Sequence, residues 1–304
     1  MKKIERSQII SDLSALGVQK GCNLFITANL GAVGFFENNR AETARAWLEI
    51  LRQAVGQSGT VIVVGYTPTF LRFKKNSTVI FDRQTPPISG PLSKAFCQDP
   101  HVIRSKHPTC SYLGFGPQAR TILDGHDEKS SSYSVIGKII DLGGTNLMLG
   151  TVDKNNAPMT FHYAQEVLGH TKQHPLCGLF QSYYRSGENK IKAFTRWDCG
   201  GCSSGAYHLY GALTVDGAVT YGMVGKAQSA LIDGTKSFQI IKSAISRNRR
   251  LTMCDDLTCI SCRGQWRNTG LNASSVYAKK VIAKLSKLVP RYFQWKGGGL
   301  TGGG

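Results

Sequence analysis

The stretch ETARAWLEILRQAVG (residues 42–56), followed by QSG and then TVIVVGY (60–66), decides the fold class. Its first run places apolar residues at three- and four-residue steps before a glycine stop, which predicts an amphipathic helix. The second is a short apolar, β-branched run, as expected of a strand covered on both faces. The same alternation holds upstream, where SQIISDLSALG (7–17) predicts a helix and CNLFITA (22–28) a buried strand. Downstream, helices are expected over 116–124 and 133–142 and strands at TNLMLG (145–150) and KAFTRW (192–197). Between 206 and 247 the pattern predicts a helix, a hairpin around DGAVTYGMV and a further helix. Alternation of this kind predicts a layered α/β/α fold with a mixed, mostly buried central sheet. The closing GGGLTGGG (297–304) reads as a flexible tail outside that fold.

A chain of 304 residues with 41% hydrophobic and 18% charged residues has the balance of a globular protein with a large core. No apolar run reaches the roughly 18 to 20 residues of a spanning helix. The start, MKKIERSQIISDL, lacks the apolar segment of a signal peptide. The expected location is therefore the cytoplasm. The net charge is +18, and the segment from Ile241 onward supplies +10 of it, with twelve basic residues against Asp255 and Asp256. Such a tail implies an anionic partner.

Nine cysteines without an export signal argue against a disulfide framework. Cys199 and Cys202 stand at C-x-x-C spacing in CGGC, and CDDLTCISC supplies Cys254, Cys259 and Cys262. Two such knuckles separated by a long insertion fit a tetrahedral structural zinc site. Cys199, Cys202, Cys259 and Cys262 are the expected ligands, with Cys254 as substitute or bystander. Cys22, Cys97, Cys110 and Cys177 read as ordinary thiols.

Six segments occur in order: LGVQKGCNLFITANLGAVG, GTVIVVGYTPTF, VIRSKHPTCSYLGFGPQA, SYSVIGKI, NLMLGTVDKNNAPMTFHYAQE and GMVGKAQSALID. Together they resemble the aminoglycoside 3-N-acetyltransferase family, whose members transfer an acetyl group from acetyl-CoA to an amino sugar. The resemblance runs from about residue 6 to 245. It implies a catalytic domain over 1–247; the cysteine-rich basic extension (248–296) lies outside the common family pattern, and the zinc knuckle would staple it to the body through Cys199 and Cys202. The chain departs from the family pattern after its first strand, at Val135, and at Gln165, where the family's His-x-Ala-Glu becomes His162, Tyr163, Ala164, Gln165.

By this resemblance His162 is the general base that takes the proton of the attacking amine. A base of this kind needs an orienting group on its second ring nitrogen. Glu166, one helical turn on, and Asp198 are the two acidic candidates. Thr160 is a candidate donor to the thioester oxygen. The resemblance also places Asn29, Ser105 and Ser134 near CoA, with Arg104 and Lys106 as candidate partners for its phosphates.

Because aminoglycosides are polycations, the basic field points to a different acceptor: an amino sugar that is itself anionic. A nucleotide-linked or lipid-linked intermediate of surface polysaccharide synthesis is the first expectation, with aminoglycoside resistance second. In NASSVYAKKVIAKLSKLVPRYFQW (272–295), Tyr277, Val281, Ile282, Leu285 and Leu288 form an apolar stripe beside Lys280, Lys284 and Lys287. This helix either docks on the body or touches an anionic membrane surface. A different class, a zinc-containing nucleic-acid-binding protein, explains the charge and the cysteines but leaves RSKHPTCS and the His162 region without a purpose; no nucleic-acid partner is expected.

Overall fold

The computed structural model describes residues 4–73, 79–171, 180–186, 190–198 and 202–263, together with 278, 279, 281 and 282. Its first half runs α1 (Arg6–Leu16), β1 (Asn23–Ala28), α2 (Leu30–Val33), α3 (Arg40–Val55), β2 (Thr60–Tyr66), β3 (Phe70–Leu71), β4 (Ile80–Phe81), α4 (Pro91–Gln98), β5 (Ile103–Arg104) and β6 (Cys110–Phe115). It continues with α5 (Ala119–Leu123), α6 (Ser134–Asp141), β7 (Thr145–Leu149), α7 (Met159–Val167), β8 (Phe180–Arg185) and β9 (Ile191–Thr195). The last elements are α8 (Tyr207–Val215), β10 (Val219–Val224), β11 (Ala227–Asp233), α9 (Gly234–Arg247) and the single turn α10 (Ile260–Arg263).

Seven strands form the main sheet in the order β10-β11-β7-β1-β2-β6-β5. The three central strands are parallel, with Phe25 opposite both Ile62 and Asn146. Antiparallel pairs close both sides. The sheet is mixed, as the sequence predicts. In β1, Leu24 and Ile26 pack toward one layer and Phe25 toward the other. Val61 and Val63 of β2 likewise part from Ile62. This is why the helices divide: α1, α3 and α4 cover one face, with Trp47 fully buried, while α5 and α6 cover the other. A further apolar cluster joins α7, α8 and α9.

Beside this body lies a small sheet in which β8 pairs β3 and β4 on one edge and β9 on the other. Of its strands only β9 is legible in the sequence. The others are two residues long or half exposed, so they lack the apolar run that marks the central strands.

No helix among the described residues is long and apolar enough to cross a membrane. Tyr277, Lys280, Leu285, Lys284, Lys287 and Leu288, on which the surface-helix expectation rests, lie outside the described residues, as do Cys177 and Cys199.

Candidate active site

Helix α7 begins where the loop after β7 returns across the carboxyl ends of the parallel strands. Asn146, buried in β7, fixes that return: its Oδ1 accepts from Met159 N at 2.8 Å and its Nδ2 donates to Phe25 O at 3.1 Å. A cavity of about 570 Å³ opens there, walled by strand ends (Thr27, Tyr66, Thr109), by Tyr133 and by Arg196 of the small sheet's edge. Ligand sites in α/β folds form at such strand ends.

His162 faces this cavity from the first turn of α7. Its ring stacks on Tyr133 at 5.4 Å and meets Phe161 edge-on at 5.2 Å. Nδ1 lies 2.9 Å from Gln165 Oε1, and Nε2 lies 3.0 Å from Ser203 Oγ. With Gln165 Oε1 assigned as acceptor, Nδ1 carries the ring proton and Nε2 offers its lone pair on the cavity side. Burial pushes the imidazole pKa down to about 4, the Gln165 hydrogen bond opposes the shift, and the Arg196 charge adds to it. The His162 imidazole is therefore neutral near neutral pH.

The carboxylates expected to orient it do other work. Glu166 does share a helix with His162, but its Oε1 accepts from Ser131 Oγ at 2.7 Å and its Oε2 from Tyr133 N at 3.1 Å. Burial, with Asp198 adding to it, raises the Glu166 pKa to about 7. Asp198 is fully buried, takes the Ser132 hydroxyl at 2.8 Å and the Ser132 amide, and pairs with Arg196 at 3.3 Å. Both acids thus hold the turn that starts α6. Gln165 holds the imidazole instead, because at i+3 its shorter path reaches Nδ1 while Glu166 points at the 131–133 turn.

Thr160 is also displaced from the expected site. It is fully buried between α7 and α9, 3.0 Å from Ser237 Oγ. Thr67 and Thr109 stand in the cavity wall instead, each with a buried hydroxyl that no described protein group satisfies. Buried hydroxyls without a partner are uncommon, which singles these two out in the wall.

Among the residues expected near CoA, Arg104 has its guanidinium bound elsewhere. It donates to Gly65 O at 3.2 Å, Arg83 O at 3.3 Å, Ser111 Oγ at 2.9 Å and Thr85 O, with Phe81 beneath it at 4.9 Å. It ties β2, β5 and the 81–85 loop together. Ser105 is buried and accepts from Tyr112 N at 2.9 Å. Ser134 donates to Ser131 O at 3.0 Å, and Asn29 caps α2 by accepting from Ala32 N at 3.2 Å. Only Asn29 of the four stays exposed at the strand ends. His107 of RSKHPTCS is equally structural: its Nδ1 accepts the amides of Thr109 and Cys110 at 3.3 and 3.0 Å.

Sequence reasoning missed Arg196, Tyr133 and Ser203. Arg196 lies under Tyr133, 5.7 Å from the ring centre, and is the only formally charged group among the described lining residues once His162 is neutral. Its partner Asp198 compensates it from behind. Gly137 lets α6 and α7 cross closely, since an added Cβ there would lie 2.3 Å from Tyr163 Oη.

Cys202, Cys254, Cys259 and Cys262 converge, their sulfurs all within 4.8 Å of one another. Cys254 therefore takes part, while the expected ligand Cys199 lies outside the described residues.

A profile of aminoglycoside 3-N-acetyltransferases matches residues 25–246. Aminoglycoside N(3)-acetyltransferase III from Salmonella sp is 29% identical over 212 residues, covering 64% of this chain and 72% of that protein. The solved structure of aminoglycoside acetyltransferase AAC(3)-IVa, as apoenzyme, superposes with a TM-score of 0.69 at 20% identity, over 87% of this chain and 97% of its own. AAC-IIIb in binary complex with CoASH superposes at 0.65, also with 20% identity, over 81% and 97%. With the profile spanning the central sheet, the His162 helix and the hairpin that closes the sheet, the chain belongs to the aminoglycoside 3-N-acetyltransferase family.

Proposed function

We propose that this acyl-CoA-dependent N-acyltransferase moves an acetyl group from acetyl-CoA to an amino group of an aminoglycoside, with His162 as general base. The observation that supports it most is the neutral imidazole of His162, its Nε2 lone pair turned into a cavity at the strand ends. The acceptor nitrogen takes the place of the Ser203 hydroxyl at Nε2, and that hydroxyl, held beside it, accepts a second N–H of the acceptor and so positions it. As nitrogen attacks the thioester carbon, its proton passes to Nε2 and the new N–C bond forms. The C–S bond then breaks, and the proton leaves Nε2 for the CoA sulfur, giving the amide and CoASH. Thr67 and Thr109 are the candidate donors to the thioester oxygen as charge builds on it.

Family membership and the curated relatives favour the aminoglycoside acceptor, reversing the order that the sequence charge suggests. Nothing in these relatives points to a polysaccharide intermediate. A second reading keeps the same chemistry with an anionic amino sugar. Arg196 in the wall and the net charge of +18 favour it, whereas the Asp198 partner of Arg196 weakens it.

The two readings separate in one experiment. Thiol release from acetyl-CoA is followed against aminoglycosides, neutral amino sugars and nucleotide-linked amino sugars at rising salt. The first reading expects the largest kcat/KM for an aminoglycoside. A nucleotide-linked acceptor that is faster than every aminoglycoside, with kcat/KM falling as salt screens the field, would replace it with the second.

A further inference from the structure

The four convergent cysteines come from two places far apart in sequence. Cys202 opens the helical turn Ser203–Gly205, whereas Cys254, Cys259 and Cys262 follow α9. Cys254 and Cys262 are buried, and Cys202 and Cys259 are half-buried. A zinc ion with four thiolates at Zn–S of about 2.3 Å holds its sulfurs roughly 3.8 Å apart. The cluster fits that spacing: Cys254 and Cys262 are 3.5 Å apart at sulfur, and no pair of the four exceeds 4.8 Å. A disulfide needs about 2.05 Å, which the 3.5 Å pair does not approach. Two sulfurs also receive backbone amides, Ser204 N to Cys202 and Cys254 N to Cys262, each at 3.3 Å.

The position of the cluster links it to the active site. Ser203, the residue after Cys202, is the one whose hydroxyl meets His162 Nε2 at 3.0 Å. In the same turn, Gly205 lies so close to the backbone of Thr252 and Met253 that an added Cβ would stand 2.1 Å from Thr252 O. The turn is clamped between the imidazole and the segment that brings in Cys254.

We propose that Cys202, Cys254, Cys259 and Cys262 bind one structural Zn²⁺ ion, and that this ion, by tying Cys202 to the 254–262 segment, sets Ser203 against His162. The metal assignment stands without the acetyl-transfer reading. Only its effect on turnover rests on it.

The test uses the full chain, purified without chelators. Elemental analysis should find about one zinc per chain, and replacement by cobalt should give the strong visible bands of a tetrahedral cobalt thiolate. Protein that holds no zinc and gives no such spectrum when reduced overturns the site, whatever its activity. Cys254→Ser should lose the metal and lower kcat about tenfold, with the KM for acetyl-CoA unchanged. Cys254→His, which restores a zinc ligand, should recover both metal and kcat. Cys199→Ser should keep both. If Cys199→Ser loses the metal and Cys254→Ser keeps it, the ligand set is wrong. If Cys254→Ser loses the metal but turns over at the parent rate, the ion is real and its hold on Ser203 is refuted.

Discussion

Two cavities of about 570 and 620 Å³ each contain a histidine in its neutral form, His162 in the first and His126 in the second. Burial lowers both imidazoles to a pKa of about 4. Their surroundings differ in what is left over. His126 donates from Nε2 to Ser131 O at 3.2 Å, and its Nδ1 faces Ser105 Oγ at 2.9 Å. That serine oxygen is itself pinned by the Tyr112 amide of β6. Among the described residues His162 hydrogen-bonds only to Gln165 and to the Ser203 hydroxyl, which has no second partner there. A shifted pKa does not make a base. An exchangeable partner on the cavity side does.

The largest expected effect follows directly. His162→Ala should lower kcat by about 10² or more, the usual worth of a positioned base, with little change in the KM for acetyl-CoA. His126→Ala should leave kcat per folded molecule within a few-fold and lower the melting temperature. Equal loss of kcat in the two variants, measured on material shown to be folded, would erase the distinction between the cavities.

Gln165→Glu tests what orients the proposed base. A carboxylate at Nδ1 stabilises the imidazolium, so the His162 pKa should rise from about 4. The acid limb of the kcat/KM profile should move to higher pH, with kcat up several-fold because the base is stronger. A limb due to the acceptor amine would be common to both enzymes and so drops out of the comparison. An unmoved acid limb would mean that His162 is not the group titrating there.

How far the sequence reaches is visible at these same residues. The helix-strand order and the central strands are legible because period and burial coincide in them. The choice of orienting group is not. Counting along a helix puts Glu166 on the face of His162, yet where its carboxyl goes is decided by the 131–133 turn, which comes from another part of the chain. Charge suggested Glu166 or Asp198, whereas reach selected the neutral Gln165. Arg104 misled in a similar way: a cation in a loop-rich motif suggests a phosphate, and only the fold reveals the carbonyls that already hold it. The cysteine set was legible in type and only partly in membership, since the C-x-x-C spacing gives no weight to Cys254.

The smallest effect concerns stability rather than rate, and there the two histidines should behave alike. A folded-state pKa of about 4 lies below the unfolded value near 6.5. Between these limits the unfolded chain binds a proton that the folded chain refuses, so stability is full above pH 6.5 and declines as pH falls toward 4. His107, pushed to about 2 by burial and by its neighbour His126, acts in the same direction and continues below pH 4. Glu166, raised to about 7, acts the other way from pH 4.5 to 7, one group against four, since burial also lowers His170. The net expectation is a fall in unfolding free energy on acidification through this window. Replacing either His126 or His162 by Gln should flatten the dependence by at most about 1.4 kcal/mol per pH unit, and by similar amounts for the two, as read from denaturant titrations at several pH values. A large flattening with His126→Gln and none with His162→Gln would show that His162 is hydrated in the resting enzyme, and the neutral base would have to be replaced by a partly protonated one.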